Sequence, residues 1–200
     1  MSTKKNDKKP DMENILDLIA EAGLLKRVKR SGWWVLGVPH EESVADHSFR
    51  CAVIGYILAK KEKADPYKVL MMTLFNDIHE ARINDLHKMA HRYIDVRGAE
   101  KKVFFDQVKD LPKEIKKELS GIREEHDIQE TKESLVARDA DILECLIQAK
   151  EYVDMGSPNA KKFFKKAPEK LKTKAAKEMW KKAKTWDSGK WWENVGTFER

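Results

Sequence analysis

The sequence predicts an all-α fold, a compact globule of many helices, and three observations carry that reading. Only 9 glycines and 6 prolines occur in 200 residues, too few for a turn-rich β architecture. From Met12 onward apolar residues recur at the i, i+3, i+4, i+7 spacing of a helix, and no segment alternates convincingly as a strand would. The 41% hydrophobic content is enough to bury a sizeable core, which excludes a wholly disordered chain.

The elements follow in order. Met12, Ile15, Leu16, Ile19 and Ala22 make one helical stripe that Gly23 closes. Residues 31–42, SGWWVLGVPHEE, read as an irregular segment. Ser43 then starts a helix, with Asp46 completing a capping box, and its apolar stripe is Val44, Cys51, Ile54 and Leu58. Pro66 suits the first turn of the next helix, which carries the apolar run over 69–75. A connector rich in His and Arg covers 83–98. Helices over 99–110 and 113–125 flank Pro112, and a long apolar helix over 131–154 stops at Gly156-Ser157-Pro158. The last forty residues are lysine-rich and carry Phe163, Phe164, Trp180, Trp186, Trp191 and Trp192. The expected organisation is a flexible lysine-rich tail over 1–11, a helical core over 12–156, and a helical extension over 157–200 packed on it.

Lys+Arg 40 against Asp+Glu 34 gives a net charge of +6, a balance that favours anionic partners without singling out nucleic acid. Cys51 and Cys145 cannot make a disulfide framework and read as buried thiols in a reducing compartment. No apolar run reaches the ~20 residues a membrane helix needs, and no hydrophobic stretch follows the opening lysines as in a secretory signal. A soluble cytoplasmic protein is expected.

Chemistry is sought where polar groups interrupt apolar faces. His47 shares the stripe of Val44, Cys51, Ile54 and Leu58, where a hydrogen-bonded core histidine is the plainer reading. In the next helix Thr73, Asn76, Asp77 and Glu80 form a polar ladder at i, i+3, i+4, i+7. An ordinary solvated stripe is the plainer reading, but the surrounding Leu70, Met71, Leu74, Phe75 and Ile78 point to burial, and buried carboxylates call for a divalent metal or a basic side chain. Ten of the fifteen residues over 135–149 are apolar, and Arg138, Asp141, Glu144 and Gln148 fall on one side of that helix. An Arg138–Asp141 ion pair is the structural alternative there. One imidazole and two carboxylates on three helices suit a hard divalent ion such as Mn, Mg, Fe, Co or Ni.

His47 in SVADHSFR, Asn76-Asp77 with Glu80 in LFNDIHEARINDL, and Asp141 in LVARDADILECLIQA resemble the HD-domain metal-dependent phosphohydrolases, and within them the 5′-deoxynucleotidases. The resemblance runs from about Leu25 through Tyr152. It implies an all-α homodimer that binds one divalent ion and releases phosphate from (deoxy)nucleoside 5′-monophosphates. By position the ion falls to His47, Asn76, Asp77 and Asp141, with Asn76 standing where the family has histidine. A neutral amide oxygen is a poorer donor, so weaker metal binding and a shift toward Mg or Mn are expected. Glu80 would orient or deprotonate the attacking water, and Asp85 would act at the leaving oxygen. Gly32 occupies the place of a family arginine, so Arg30 is expected to reach the phosphate, while Trp33 lines the sugar pocket, stacks on a base or packs its loop.

Two other readings stand beside the enzyme: a nucleotide-binding relative that has lost catalysis with Asn76, and a binder of single-stranded nucleic acid through the basic, aromatic C-terminal region. For the latter, amphipathic helices that bury their aromatic side and expose their lysines are the simpler account.

Overall fold

The structure, a computed structural model, describes residues 10–191, 193 and 195. Of the expected tail only Pro10 and Asp11 are among them, and Trp192 lies outside. Nine α-helices and no strand are found among the described residues: α1 (Asp11–Leu24), α2 (Ser31–Val35), α3 (Val44–Glu62), α4 (Pro66–Phe75), α5 (Glu80–Ile83), α6 (Val96–Val108), α7 (Lys113–Ile128), α8 (Lys132–Asp154) and α9 (Lys174–Ala183). Short 3-10 segments lie at Ala90–Arg92, Pro158–Lys165 and Pro168–Lys170.

The helix signals act as their chemistry requires. Ser43 and Asp46 form the capping box at the start of α3, the Ser43 hydroxyl accepting from the Asp46 amide at 3.1 Å while the Asp46 carboxylate accepts from the Ser43 amide at 2.9 Å. Asp65 caps α4 with Pro66 at its first position. Thr131 caps α8 by accepting from the Ser134 amide.

The core is built on α8, which packs against α3, α4, α7 and α9. Its Val136, Ala137, Ala140, Leu143 and Leu146 are buried together with Cys51, Ile54, Leu58, Val69 and Met72. Gly55 sets the closeness of α3 and α4: a Cβ there would stand 3.0 Å from Val69 and 3.1 Å from Thr73. The C-terminal region joins the same core through Leu171, Ala175, Ala176, Trp180 and Ala183, and Phe164 packs on Trp180 with ring centroids 5.2 Å apart. Trp186 is exposed, so the buried aromatic side extends through Trp180 but not to it.

Several expectations are corrected. Residues 31–42 are not wholly irregular, because Ser31–Val35 close a helical turn. The stripe of α1 is divided: Ile15 and Ala22 pack on the core with Leu18, whereas Met12, Leu16 and Ile19 are exposed. Leu74 is likewise exposed. The helix expected over 99–110 runs from Val96 to Val108, because Asp95 caps it through the Gly98 amide.

Asp139 on α8 is fully buried and fixes the C-terminal region. Its carboxylate accepts from the Lys172 amide (2.9 and 3.1 Å), the Thr173 amide (2.6 Å) and the Thr173 hydroxyl (2.7 Å). Asp139→Ala leaves these donors without a partner and is expected to lower stability by about 3 kcal/mol, measured by urea unfolding, whereas removing the exposed lysine of Lys177→Ala changes it little.

Candidate active site

His47 is the hub. Its stripe on α3 faces α8, and the ring is buried. Nδ1 lies 2.5 Å from Glu144 Oε2 on α8. The opposite nitrogen, Nε2, faces two carboxylates, Asp77 Oδ2 at 3.4 Å and Asp141 Oδ1 at 3.1 Å. Burial and the nearby Arg30 oppose charge on this ring, but the bonds to Asp141 and Glu144 outweigh them and raise its pKa to about 10. Burial would push the Asp141 carboxyl up, yet His47 prevails and holds it at about 2.

The polar ladder of the sequence crosses a break in the helix. α4 ends at Phe75, and residues 76–79 form a turn of three-residue hydrogen bonds before α5 begins at Glu80. Arg123 of α7 donates to the Asn76 carbonyl at 3.1 Å, so that carbonyl is drawn to α7 instead of continuing the helix. The turn presents Asp77 to His47. Asn76 arrives with it, but its amide nitrogen donates to Asp77 Oδ1 at 2.7 Å. His79 points elsewhere, its Nε2 lying 3.8 Å from Glu100. Thr73 stays within the helix, donating to the Val69 and Leu70 carbonyls.

Glu80 is buried beside these groups with Oε2 unpartnered. Burial first, then the negative charges of Asp77 and Asp85, raise its carboxyl to about 10. Asp85 accepts from the Ser31 amide at 3.0 Å, so it fastens α2 to the site while facing the cleft. Arg30 joins the cluster as well, its guanidinium 3.7 Å from Asp77, 3.8 Å from Asp85 and 3.2 Å from the Cys145 sulfur. Of the other basic residues near it in sequence, Lys26, Arg27 and Lys29 are exposed.

A cleft of about 520 Å³ opens over this cluster, with Arg30, Asp77, Asp85 and Asp141 along it. Trp33 reaches its wall but is only 1% exposed. Its indole N–H donates to Glu42 at 2.8 Å, and Tyr152 and Phe163 cover the ring at centroid distances of 5.1 and 4.5 Å. A base could stack on it only by displacing one of them, so packing of the loop is what this side chain does here. A second opening, of about 570 Å³ and bordered by α6 and α7, shares Asn76, Arg138 and Asp141 with the first. His126, given no role from the sequence, lines it; burial and Arg123 lower its pKa.

Sequence reasoning missed the layer behind His47. Glu144 was noticed only as one of four polar positions on α8, yet it is fully buried and also accepts from Arg50 Nε and Nη2 at 2.9 and 2.7 Å. Arg50 extends to Glu151 and Gln148. Such a carboxylate fixes the tautomer and orientation of a ligating histidine. The signal available was Glu144 three residues after Asp141. Asp141 in turn pairs with His47, not with Arg138. Cys145 is half-buried at the cleft wall, not a core thiol.

The donors fit a hard divalent ion. One imidazole nitrogen and two carboxylates converge, and Nδ1 is already engaged by Glu144, so Nε2 is the nitrogen that could hold an ion. The His47, Glu144 and Cys145 ligand atoms also fall within 4.8 Å of one another. That trio reads as the orienting layer, because Arg50 holds Glu144 and Arg30 donates to the sulfur.

Comparison with known proteins agrees with the geometry. A model of the HD domain matches residues 22–183. The 5′-deoxynucleotidase HDDC2 of Dictyostelium discoideum is 33% identical over 151 residues, covering 70% of this chain and 78% of its own. The Homo sapiens 5′-deoxynucleotidase HDDC2 is 28% identical over 143 residues, 71% of this chain and 70% of its own. A conserved hypothetical protein from Pyrococcus furiosus superposes with a TM-score of 0.72 and 36% identity, over 86% of this chain and 99% of that one.

The Glu80 carboxyl carries a linkage prediction for chelator-treated protein. Below about pH 4.5 it is protonated in both folded and unfolded chains. As pH rises from there to about 10, the unfolded chain ionises while the folded one resists, so stability falls through that window. Glu80→Gln is therefore expected to raise the thermal midpoint by several degrees at pH 7 and to leave it unchanged at pH 4; an equal gain at both values contradicts this origin.

Proposed function

The chain belongs to the HD-domain family, and on that premise we propose that it is a metal-dependent phosphohydrolase releasing phosphate from deoxynucleoside 5′-monophosphates. The observation that carries the reading is the convergence of Asp77 and Asp141 on His47 Nε2, at the base of a cleft large enough for a nucleotide. His47, Asp77 and Asp141 would hold the ion. Asn76 would complete the set through its amide oxygen, its nitrogen remaining on Asp77.

When bound, the ion supplies Lewis acidity toward water and a phosphoryl oxygen. The chain's own residues do the rest. Arg30 counters phosphate charge from its place between Asp77 and Asp85. Glu80, whose buried Oε2 has no partner, would orient the attacking water and, ionised once a bound cation offsets the charges of Asp77 and Asp85, take its proton. Asp85 acts at the leaving 5′-oxygen. Glu144 and Arg50 keep His47 in one orientation throughout. A nucleotide-binding relative without catalysis is disfavoured because Glu80 and Asp85 both stand beside Asp77, although neither is needed as a ligand.

The phosphohydrolase reading is tested by phosphate release from deoxynucleoside monophosphates with Mg, Mn, Co or Ni. Asp77→Ala is expected to abolish it. Asn76→His is expected to tighten the ion by about tenfold, read by calorimetry, and to raise turnover; a histidine without effect on affinity removes position 76 from the ligand set.

The homodimer implied by the family is assigned to α3. Opposite its buried stripe it exposes Phe49, Val53, Tyr56 and Ile57, a helical face of apolar residues suited to a second copy. Light scattering is expected to give twice the monomer mass, and Val53→Asp to reduce it to one; a monomeric wild-type protein refutes this assignment. For the basic C-terminal region, burial of Trp180 in the core with half-buried Phe164 packed on it supports a structural role over nucleic-acid binding.

A further inference from the structure

The cleft carries more positive charge than its chemistry at the ion end requires. Lys88 of the connector after α5, Arg138 of α8 and Lys170 of the 3-10 segment Pro168–Lys170 all line it. They come from three separate elements, and no ion pair or hydrogen bond engages their side chains among the described residues. Arg30 differs, being committed to Asp77 and Asp85. Their mutual proximity is felt: the Lys170 ammonium is lowered by Lys88 first, then by burial, Arg138 and Lys166.

The charge balance makes the same point. Arg30, Lys88, Arg138 and Lys170 face Asp77, Asp85 and Asp141 across the cleft. With a divalent ion in place the lining is three charges positive, one more than a phosphomonoester dianion neutralises. Lys88 and Lys170 are exposed and Arg138 is half-buried, so all three can turn to an anion in the cleft without giving up a protein partner.

We propose that Lys88, Arg138 and Lys170 form a seat for a second phosphoryl group on the substrate, so that the preferred substrate carries phosphate on its 3′-oxygen as well as on its 5′-oxygen. This inference rests on the phosphohydrolase reading for its orientation. The scissile 5′-phosphate lies at the ion end, where Arg30 and the carboxylates are. The nucleoside spans apolar wall from Val35, Met89 and Ile142, and the 3′-phosphate reaches the three free cations. A β-phosphate is the poorer occupant, because it would remain beside Arg30 and the scissile group. The reaction is still hydrolysis: water oxygen bonds to the 5′-phosphorus, the bond to the 5′-oxygen breaks, and that oxygen takes up a proton. The 3′ group is untouched. A nucleoside 3′,5′-bisphosphate and the 5′ end of a short oligonucleotide share this chemistry.

The test compares dAMP, 2′-deoxyadenosine 3′,5′-bisphosphate and the 5′-phosphorylated dinucleotide pdApdA on the full chain. The expected kcat/KM for one or both 3′-phosphorylated compounds exceeds that for dAMP by about tenfold, the worth of one charge-assisted hydrogen bond, and the preference shrinks with added salt. Whichever of the two is favoured identifies the source. Lys88→Ala with Lys170→Ala, and separately Arg138→Gln, are expected to bring the ratio toward one. A ratio near one in the wild-type protein, or a ratio unmoved by these variants, overturns the proposal. Equilibrium dialysis of the same three compounds covers the case in which none is hydrolysed. A binding preference lost in the variants then sustains the seat while the phosphohydrolase reading falls, and equal binding of all three sinks the seat too.

Discussion

A single imidazole, clamped on both of its nitrogens, ties the structure together. His47 joins α3 to α8 through Glu144 and faces the turn after α4 through Asp77. A buried ring with carboxylates on two sides is tolerable only because the charges around it are matched, by Arg50 behind Glu144 and by Arg30 beside Asp77. Helix packing that brings α3, α4 and α8 together is therefore inseparable from the electrostatics at their meeting point. Gly55 belongs to the same constraint, since it lets α4 approach α3 closely enough for the turn at 76–79 to reach His47.

The two arginines divide the work. Arg50 faces away from the cleft, spread over Glu144, Glu151 and Gln148, and serves orientation. Arg30 lies at the cleft floor, and its three neighbours include a sulfur, a weak acceptor that a phosphate oxygen can replace. Asp85 connects this floor to α2 through the Ser31 amide, so the segment carrying Trp33 is positioned by the same carboxylate proposed to act in catalysis. That coupling explains why a tryptophan so near the site is occupied with packing: the loop it anchors must be rigid for Arg30 to stand where it does.

Much of this was legible in the sequence. His47 stood out because a titratable ring occupied an apolar stripe, and Asp77 and Glu80 because they continue a polar ladder that begins inside the apolar run over 69–75. Both signals are local, and burial on the expected faces follows from them. Glu144 was harder, since a glutamate on a long helix is ordinarily solvated and only contact with Arg50 and His47 gives it a role. The break after Phe75 was also hidden. It arises when Arg123, 47 residues away, takes the Asn76 carbonyl. The division of the α1 stripe, with Leu18 inward and Leu16 outward, reflects which neighbours happened to be available for an otherwise apolar helix.

The sequence by itself determined the helices, their caps, and the residue types able to hold a cation, because periodicity, capping and the cost of burying charge act over a few neighbouring residues. Only the tertiary structure decided which nitrogen of His47 meets which carboxylate, that Arg138 is left free while Asp141 turns to His47, and that Lys88 and Lys170 meet across one cleft. Those outcomes depend on how helices cross in space, and contacts between residues far apart in the chain leave no period or spacing from which they could be read.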